Sequence, residues 1–313
     1  PPRRPPPPPL PAASRPAARF YTNATGRSFA PTSESCAQAI LGQAIDNLGL
    51  QRDQIVVATK VHGRMGPGVN EGGQSRAHIL SSVDKSLKRL KLDHVDLYQT
   101  HGYDPLTPIE ETMEALNDVV RAGKARYVGF CNLPAWYAMK ANAHAARRGF
   151  ARYESAQVYY TVAGRDIERE IVPFAEDQGL AIMPWSPLAG GLLSGKFLRD
   201  GKGPQGSRRA AFDFPIVDKD RAFDVIEAMQ PIAAAHGVSV ARIALAWLLH
   251  QRHVTSVIIG AKTGEQLADN LAAAEVKLNA DELKALNEAS ALPREYPGWM
   301  LERQSGDRRG LVG

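Results

Sequence analysis

Six short β-rich runs, separated by segments of helical periodicity, occupy the chain from residue 54 onward. They are QIVVATKV (54–61), HVDLYQTH (94–101), ARYVGFCN (125–132), YESAQVYY (153–160), LAIMPWSP (180–187) and VTSVIIGA (254–261). Strands joined through helices return in the same direction, so the pattern specifies a parallel sheet covered by helices. Residues 76–91 set Ile79, Leu80, Val83, Leu87 and Leu90 on one face, and Ile109, Met113, Leu116 and Val120 form a second stripe. Thr107, Pro108 and Glu110 spell a capping box with proline at the first helical position, and Gly123 ends that helix. Thr263 with Gln266, and Asn279 with Glu282, spell two more. An open doubly wound sheet and a closed barrel both fit this alternation. The spacing favours the barrel, and no G-x-G-x-x-G motif opens a dinucleotide-binding sheet.

Residues 1–36 lack the pattern and are expected to be a separate leader, with the folded domain at 37–313. The opening PPRRPPPPPLPAASRPAARF is too rich in proline for helices or sheet ladders and is expected to be extended or disordered. The chain has no initiator Met, and the leader resembles a GC-rich coding sequence read out of frame, so truncation or a frame shift is expected. Of the net charge of +5, +4 lies in residues 1–37, where five arginines face Glu34 alone. The remainder is no electrostatic footprint for nucleic acid. No apolar run is long enough for a membrane span, and the N-terminus has no signal-peptide core. Cys36 and Cys131 are the only cysteines, which points to a reducing cytoplasm.

The runs VVATKV, DLYQTH, DPLTPIEETMEAL, VRAGKARYVGFCN, MPWSPLAGGLLSGK and IIGAKTGEQLADN together resemble the aldo-keto reductase family, most closely the bacterial oxidoreductases related to potassium-channel β subunits. The resemblance covers roughly residues 37–303. It implies a (β/α)8 TIM barrel, NADPH as cofactor, and reduction of a small-molecule carbonyl, an aldehyde or a ketone. The six runs match the family's strands three to eight, so the barrel is expected to be incomplete, with exposed edges on the third and eighth strands. In the family the second strand carries an Asp and, five residues on, a Tyr. Here that window reads Pro31-Thr32, and no aspartate precedes Asp46.

Carbonyl reduction moves a hydride to carbon and a proton to oxygen. The resemblance implies a Tyr proton donor acidified by a Lys, an Asp paired with that Lys, and a His that orients the carbonyl. Lys60 and His101 match the Lys and the His. On their own, a strand-end lysine and histidine are ordinary solvated or structural groups; two on neighbouring strand ends make a site. Tyr21, the one tyrosine upstream of Lys60, lies about ten residues too early to serve as the acid. Activity is therefore expected to be impaired, and a cofactor-binding, catalytically inactive regulator is the alternative.

By the same resemblance Cys131, Asn132 and Gln157 hold the carboxamide, with cysteine a weak donor. Trp185, Ser186, Pro187 and Leu188 pass under the pyrophosphate, and Lys196 reaches it. Gly260, Lys262, Gln266 and Asn270 match the adenosine site. Thr263 begins a helix whose positive end faces that site, and Arg208, with its neighbour Arg209 as the alternative, suits a 2′-phosphate. Gly190 to Lys196 also spells G-x-x-x-x-G-K, but Phe197 stands where a phosphate loop has Ser or Thr. No metal site is expected. Substrate selectivity is expected in the loops 62–75 and 197–218, the first of them mobile, and oligomeric state is left open.

Overall fold

The computed structural model describes residues 21–22, 31–200, 203, 209 and 212–309. Its strands are β1 (Tyr21–Thr22), β2 (Ala58–Val61), β3 (Val95–Thr100), β4 (Ala125–Cys131), β5 (Tyr153–Tyr159), β6 (Ala181–Trp185) and β7 (Ile258–Ile259). Strands β2 to β6 form one parallel sheet in sequence order. Val254 bridges Ile182 in parallel, and the Thr255 amide donates to the Ile182 carbonyl at 2.9 Å, which carries the chain alongside β6 toward β7. The six expected strands all form, the first and last shortened to four and two residues.

The edge expected to be open on β7 is paired in parallel with β1, Tyr21 opposite Ile258 and Thr22 opposite Ile259. Among the described residues β2 pairs on one side only, with β3. The parallel sheet and its flanking helices are those of an α/β barrel of the expected class.

Helix α1 (Pro31–Asn47) begins inside the segment read as leader. It is tied down at Gln38, whose amide donates to Thr59 Oγ1 on β2 at 2.6 Å and to Ser86 Oγ at 3.2 Å. Ser86 lies on α2 (Arg76–Leu90), which Ser75 caps and which buries Ile79, Val83, Leu87 and Leu90 as its periodicity requires. At Gly42 the two helices come so close that a Cβ would stand 2.5 Å from the Leu90 carbonyl oxygen, which excludes any side chain there.

The capping signals are met unevenly. Asn279 and Glu282 form both halves of a capping box on α9 (Ala280–Ala289). On α8 (Gly264–Leu271) the Thr263 hydroxyl accepts from the Gln266 amide, while the Gln266 side chain accepts from Lys262 N, one residue earlier than a box requires. The predicted box on α3 (Ile109–Arg121) does not form: Pro108 sits at its N-cap without a side-chain cap bond. The Thr107 hydroxyl donates instead to Asp104 Oδ2 at 2.8 Å, and Asp104 Oδ1 takes the Leu106 amide. A local turn has outcompeted the helix for that hydroxyl.

The remaining helices are α4 (Ala135–Arg148), α5 (Ile171–Gln178), α6 (Lys219–His236), α7 (Val240–Leu249) and α10 (Gly298–Arg309). The core falls into two clusters. One lies between β2–β6 and α1–α5; the other is built from α6, α7 and β7 around the fully buried Trp247. No single described helix is long and apolar enough to cross a membrane; the pair α6 and α7 passes by length and composition but bends by 97°.

Candidate active site

Side chains alternate along a strand, so a residue's neighbours fix which face it takes. Thr59 points outward to Gln38 of α1, which turns Lys60 to the concave face, beside Gln99 in the register of β2 and β3. Lys60 is half-buried and, among the described residues, has neither a hydrogen-bond nor an ion-pair partner. His101 follows β3 directly, its amide donating to the Val61 carbonyl at 2.9 Å. Burial, then the Lys60 ammonium and His62, push its pKa below the ordinary histidine value. Its exposed side faces water, which moderates the shift; the direction favours the neutral ring.

Cys131 ends β4 opposite Gln157 of β5. Its thiol is buried and pushed up to about 12 by desolvation, partly offset by Lys60. Contact with a ligand at the rim therefore falls to Asn132, which turns out in the left-handed region at φ 53°. Asn132 Oδ1 accepts from Trp185 Nε1 at 2.8 Å, so its Nδ2 faces away from the indole. Gln157 is buried with no side-chain partner among the described residues. Two carboxamides with unused hydrogen-bonding capacity thus stand on neighbouring strand ends, a donor set that fits a planar amide ligand. Trp185 stacks on Phe214 at 5.8 Å and leans on Tyr159 at 5.3 Å.

Beyond β6 the chain turns sharply, with Ser186, Ala189, Gly190 and Gly191 all at positive φ. Ser186 Oγ accepts from the Gly190 amide, and the Gly190 position needs glycine because a Cβ would lie 2.5 Å from the Phe214 carbonyl oxygen. The G-x-x-x-x-G-K motif falls on a kinked 3-10 turn, Ala189–Ser194, capped by Gly195, and not on the helix entry of a phosphate loop. Pro187 and Leu188 complete this turn, with Lys196 exposed at its end.

Arg208 lies outside the described residues. Its neighbour Arg209 is buried and committed: the guanidinium donates to the Ala189 carbonyl at 2.6 Å and the Pro215 carbonyl at 3.2 Å, and pairs with Asp213 at 2.8 Å. It ties the 186–190 turn to Phe214. At α8, Asn270 Nδ2 donates to the Gly260 carbonyl at 3.3 Å while Gln266 holds the Lys262 amide, so the four residues expected together are together.

The loop 62–75 is held by its own bonds: Gly73 N to His62 O at 2.8 Å, Met65 N to Glu71 O at 2.7 Å, and Arg64 to the carbonyls of Gly66 and Gly68. Sequence reading missed His62, Gln74 and Tyr159, and it offered Arg209 only as the alternative to Arg208 at a 2′-phosphate, where the structure instead commits it to carbonyls. His62 could have been found from its place two residues after Lys60; nothing in the sequence signals Gln74 or Tyr159. Among the described residues no group of three His, Cys, Asp or Glu side chains could hold a metal ion.

Residues 18–291 match the Aldo/keto reductase family, a span that reaches into the segment read as leader. The chain is 37% identical over 256 residues to the uncharacterized oxidoreductase YrpG of Bacillus subtilis, covering 80% of this chain and 76% of that protein. It is 32% identical over 291 residues to versiconal hemiacetal acetate reductase of Aspergillus parasiticus, covering 85% and 82%. A probable voltage-gated potassium channel subunit beta of Arabidopsis thaliana is 37% identical over 245 residues, covering 77% and 74%. A barrel of parallel strands with a lysine, a histidine and two carboxamides at one rim, matched over most of its length, places this chain in the aldo/keto reductase family.

Proposed function

We propose that this chain is an NADPH-dependent oxidoreductase that reduces an aldehyde or ketone, with turnover slowed by the lack of the family's Asp and Tyr. The observation that carries this reading is the convergence of Lys60, His101, Asn132, Gln157 and Trp185 at the C-terminal ends of adjacent parallel strands, where barrel enzymes keep their sites. NADPH, when bound, supplies the hydride to the carbonyl carbon. Asn132 and Gln157 would hold its carboxamide, the 186–188 turn and Lys196 its pyrophosphate, and Gly260, Lys262, Gln266 and Asn270 its adenosine end. Arg208 is the candidate for a 2′-phosphate.

His101, favoured in its neutral form, orients the carbonyl through a hydrogen bond. The Lys60 ammonium polarises the same oxygen and stabilises the charge that develops there. Among the described residues Lys60 has no hydrogen-bond partner, so the proton comes from a less well placed source. General acid catalysis contributes about 10²- to 10⁴-fold, and a deficit of that order is expected. The two cysteines, Cys131 among them buried, fit a cytoplasmic location.

A second reading, a cofactor-binding regulatory protein without turnover, is favoured by the unpartnered Lys60 and by the likeness to a channel β subunit. NADPH oxidation with 4-nitrobenzaldehyde tests both. Slow, saturable oxidation that disappears in Lys60→Met supports the reductase. Saturable NADPH binding with no oxidation supports the regulator, and oxidation unaffected by Lys60→Met overturns the assignment of the site.

A further inference from the structure

His62 was not part of the expected site, yet its surroundings give it a defined chemical state. Gln74 is fully buried and fixed from three directions: its amide donates to Asp104 Oδ2 at 2.7 Å, its carbonyl accepts from Thr112 Oγ1 at 3.1 Å, and its side-chain Nε2 donates to the Gly102 carbonyl. The same Nε2 lies 3.3 Å from His62 Nδ1. The Gly102 carbonyl can only accept, so the Gln74 group facing it must be the NH2; turning the amide over would set oxygen against oxygen. The second hydrogen of that NH2 points at His62 Nδ1, which must then accept. A neutral His62 therefore carries its proton on Nε2.

That Nε2 has no partner among the described residues, and its edge of the ring lies against Gly102, where an added Cβ would be 3.7 Å away. Val61 pairs with Thr100, so the next residues on the two strands, His62 and His101, stand side by side at the rim above Lys60. His101 after β3, His78 of α2 and Asp104 of the 101–107 loop are charged or titratable groups close enough to act on His62, and Lys60 lies two residues before it on the same strand.

Resting on the reductase reading, we propose that His62 is a specificity-determining residue: a Gln74-locked Nε2–H donor that takes the second oxygen of a substrate with oxygens on adjacent carbons, such as a 1,2-dicarbonyl. His101 and Lys60 hold the reacting carbonyl oxygen, and His62 holds its neighbour. A polar group set to bond a substrate oxygen discriminates against analogues that lack it, because the donor is then left unpaired.

The test has two parts. In ¹⁵N-histidine-labelled protein at pH 7.5, His62 should show an unprotonated Nδ1 and a protonated Nε2, and the Nε2 signal should move saturably on adding isatin alone. In turnover with NADPH, the ratio of kcat/KM for isatin over 4-nitrobenzaldehyde should fall about tenfold in His62→Phe and recover in part in His62→Asn, whose amide can donate. A protonated Nδ1, an Nε2 signal unmoved by saturating isatin, or an unchanged ratio in His62→Phe overturns the proposal. If the wild-type chain turns over neither compound, the reductase reading fails by itself, and the response of the Nε2 signal to isatin decides the role of His62.

Discussion

Lys60, next to the end of β2, is a long cationic side chain close enough to His101 and the buried Cys131 thiol to act on both. If it polarises the carbonyl, Lys60→Met should lower kcat/KM at least about 100-fold while NADPH affinity changes less than about threefold, read by stopped-flow and by fluorescence titration. Equal losses in both would make Lys60 a cofactor ligand. His101 carries a pH dependence. Its folded pKa lies below the ordinary 6.5, so as pH falls below that value the unfolded chain takes up protons that the folded chain refuses. Stability is then full above about 6.5 and falls as pH drops toward the folded value; His78 and His253, lowered mainly by burial, add in the same direction. Urea midpoints at pH 7.5 and pH 5 should differ less in His101→Asn than in the parent chain. At this scale the sequence was informative where a residue ends a strand, as at Lys60, His101 and Asn132. It was silent on Gln74, and it offered Arg209 only as a phosphate ligand, because the roles of both depend on how loops meet in the fold.

Helix caps and turns show where local chemistry is readable and where it is not. The Asn279 and Glu282 box closes within four residues, so its sequence determines it; Asn279→Ala should cost about 1 kcal/mol in urea unfolding. Thr107 carries the same signal but has a competitor three residues upstream in Asp104, and the tighter turn takes the hydroxyl. Arg209 joins two turns through carbonyls of Ala189 and Pro215. Arg209→Leu leaves those carbonyls unpaired and should loosen the 186–190 turn, weakening NADPH binding about tenfold with the far-ultraviolet spectrum intact. Binding as tight as in the parent chain would detach that turn from the cofactor.

Strand order across the whole molecule follows from the alternation of runs and helices, and the parallel sheet from β2 to β6 was legible in outline. Pairing of β1 with β7 was not: Tyr21–Thr22 is two residues long, too short for any alternation to mark it. That pairing covers the β7 edge, and an uncovered edge invites association. Removing residues 1–30 should therefore produce concentration-dependent aggregation on light scattering, while removing residues 1–17, which lie before the family match, should not. The central claim is that the ends of β4 to β7 form a nicotinamide dinucleotide site, and a fluorescence titration with NADPH tests it most directly. The account predicts a saturable change, stronger for NADPH than for NADH and weakened at least about tenfold by Asn132→Ala. No saturable change with either nucleotide, or a titration indifferent to Asn132→Ala, would contradict it.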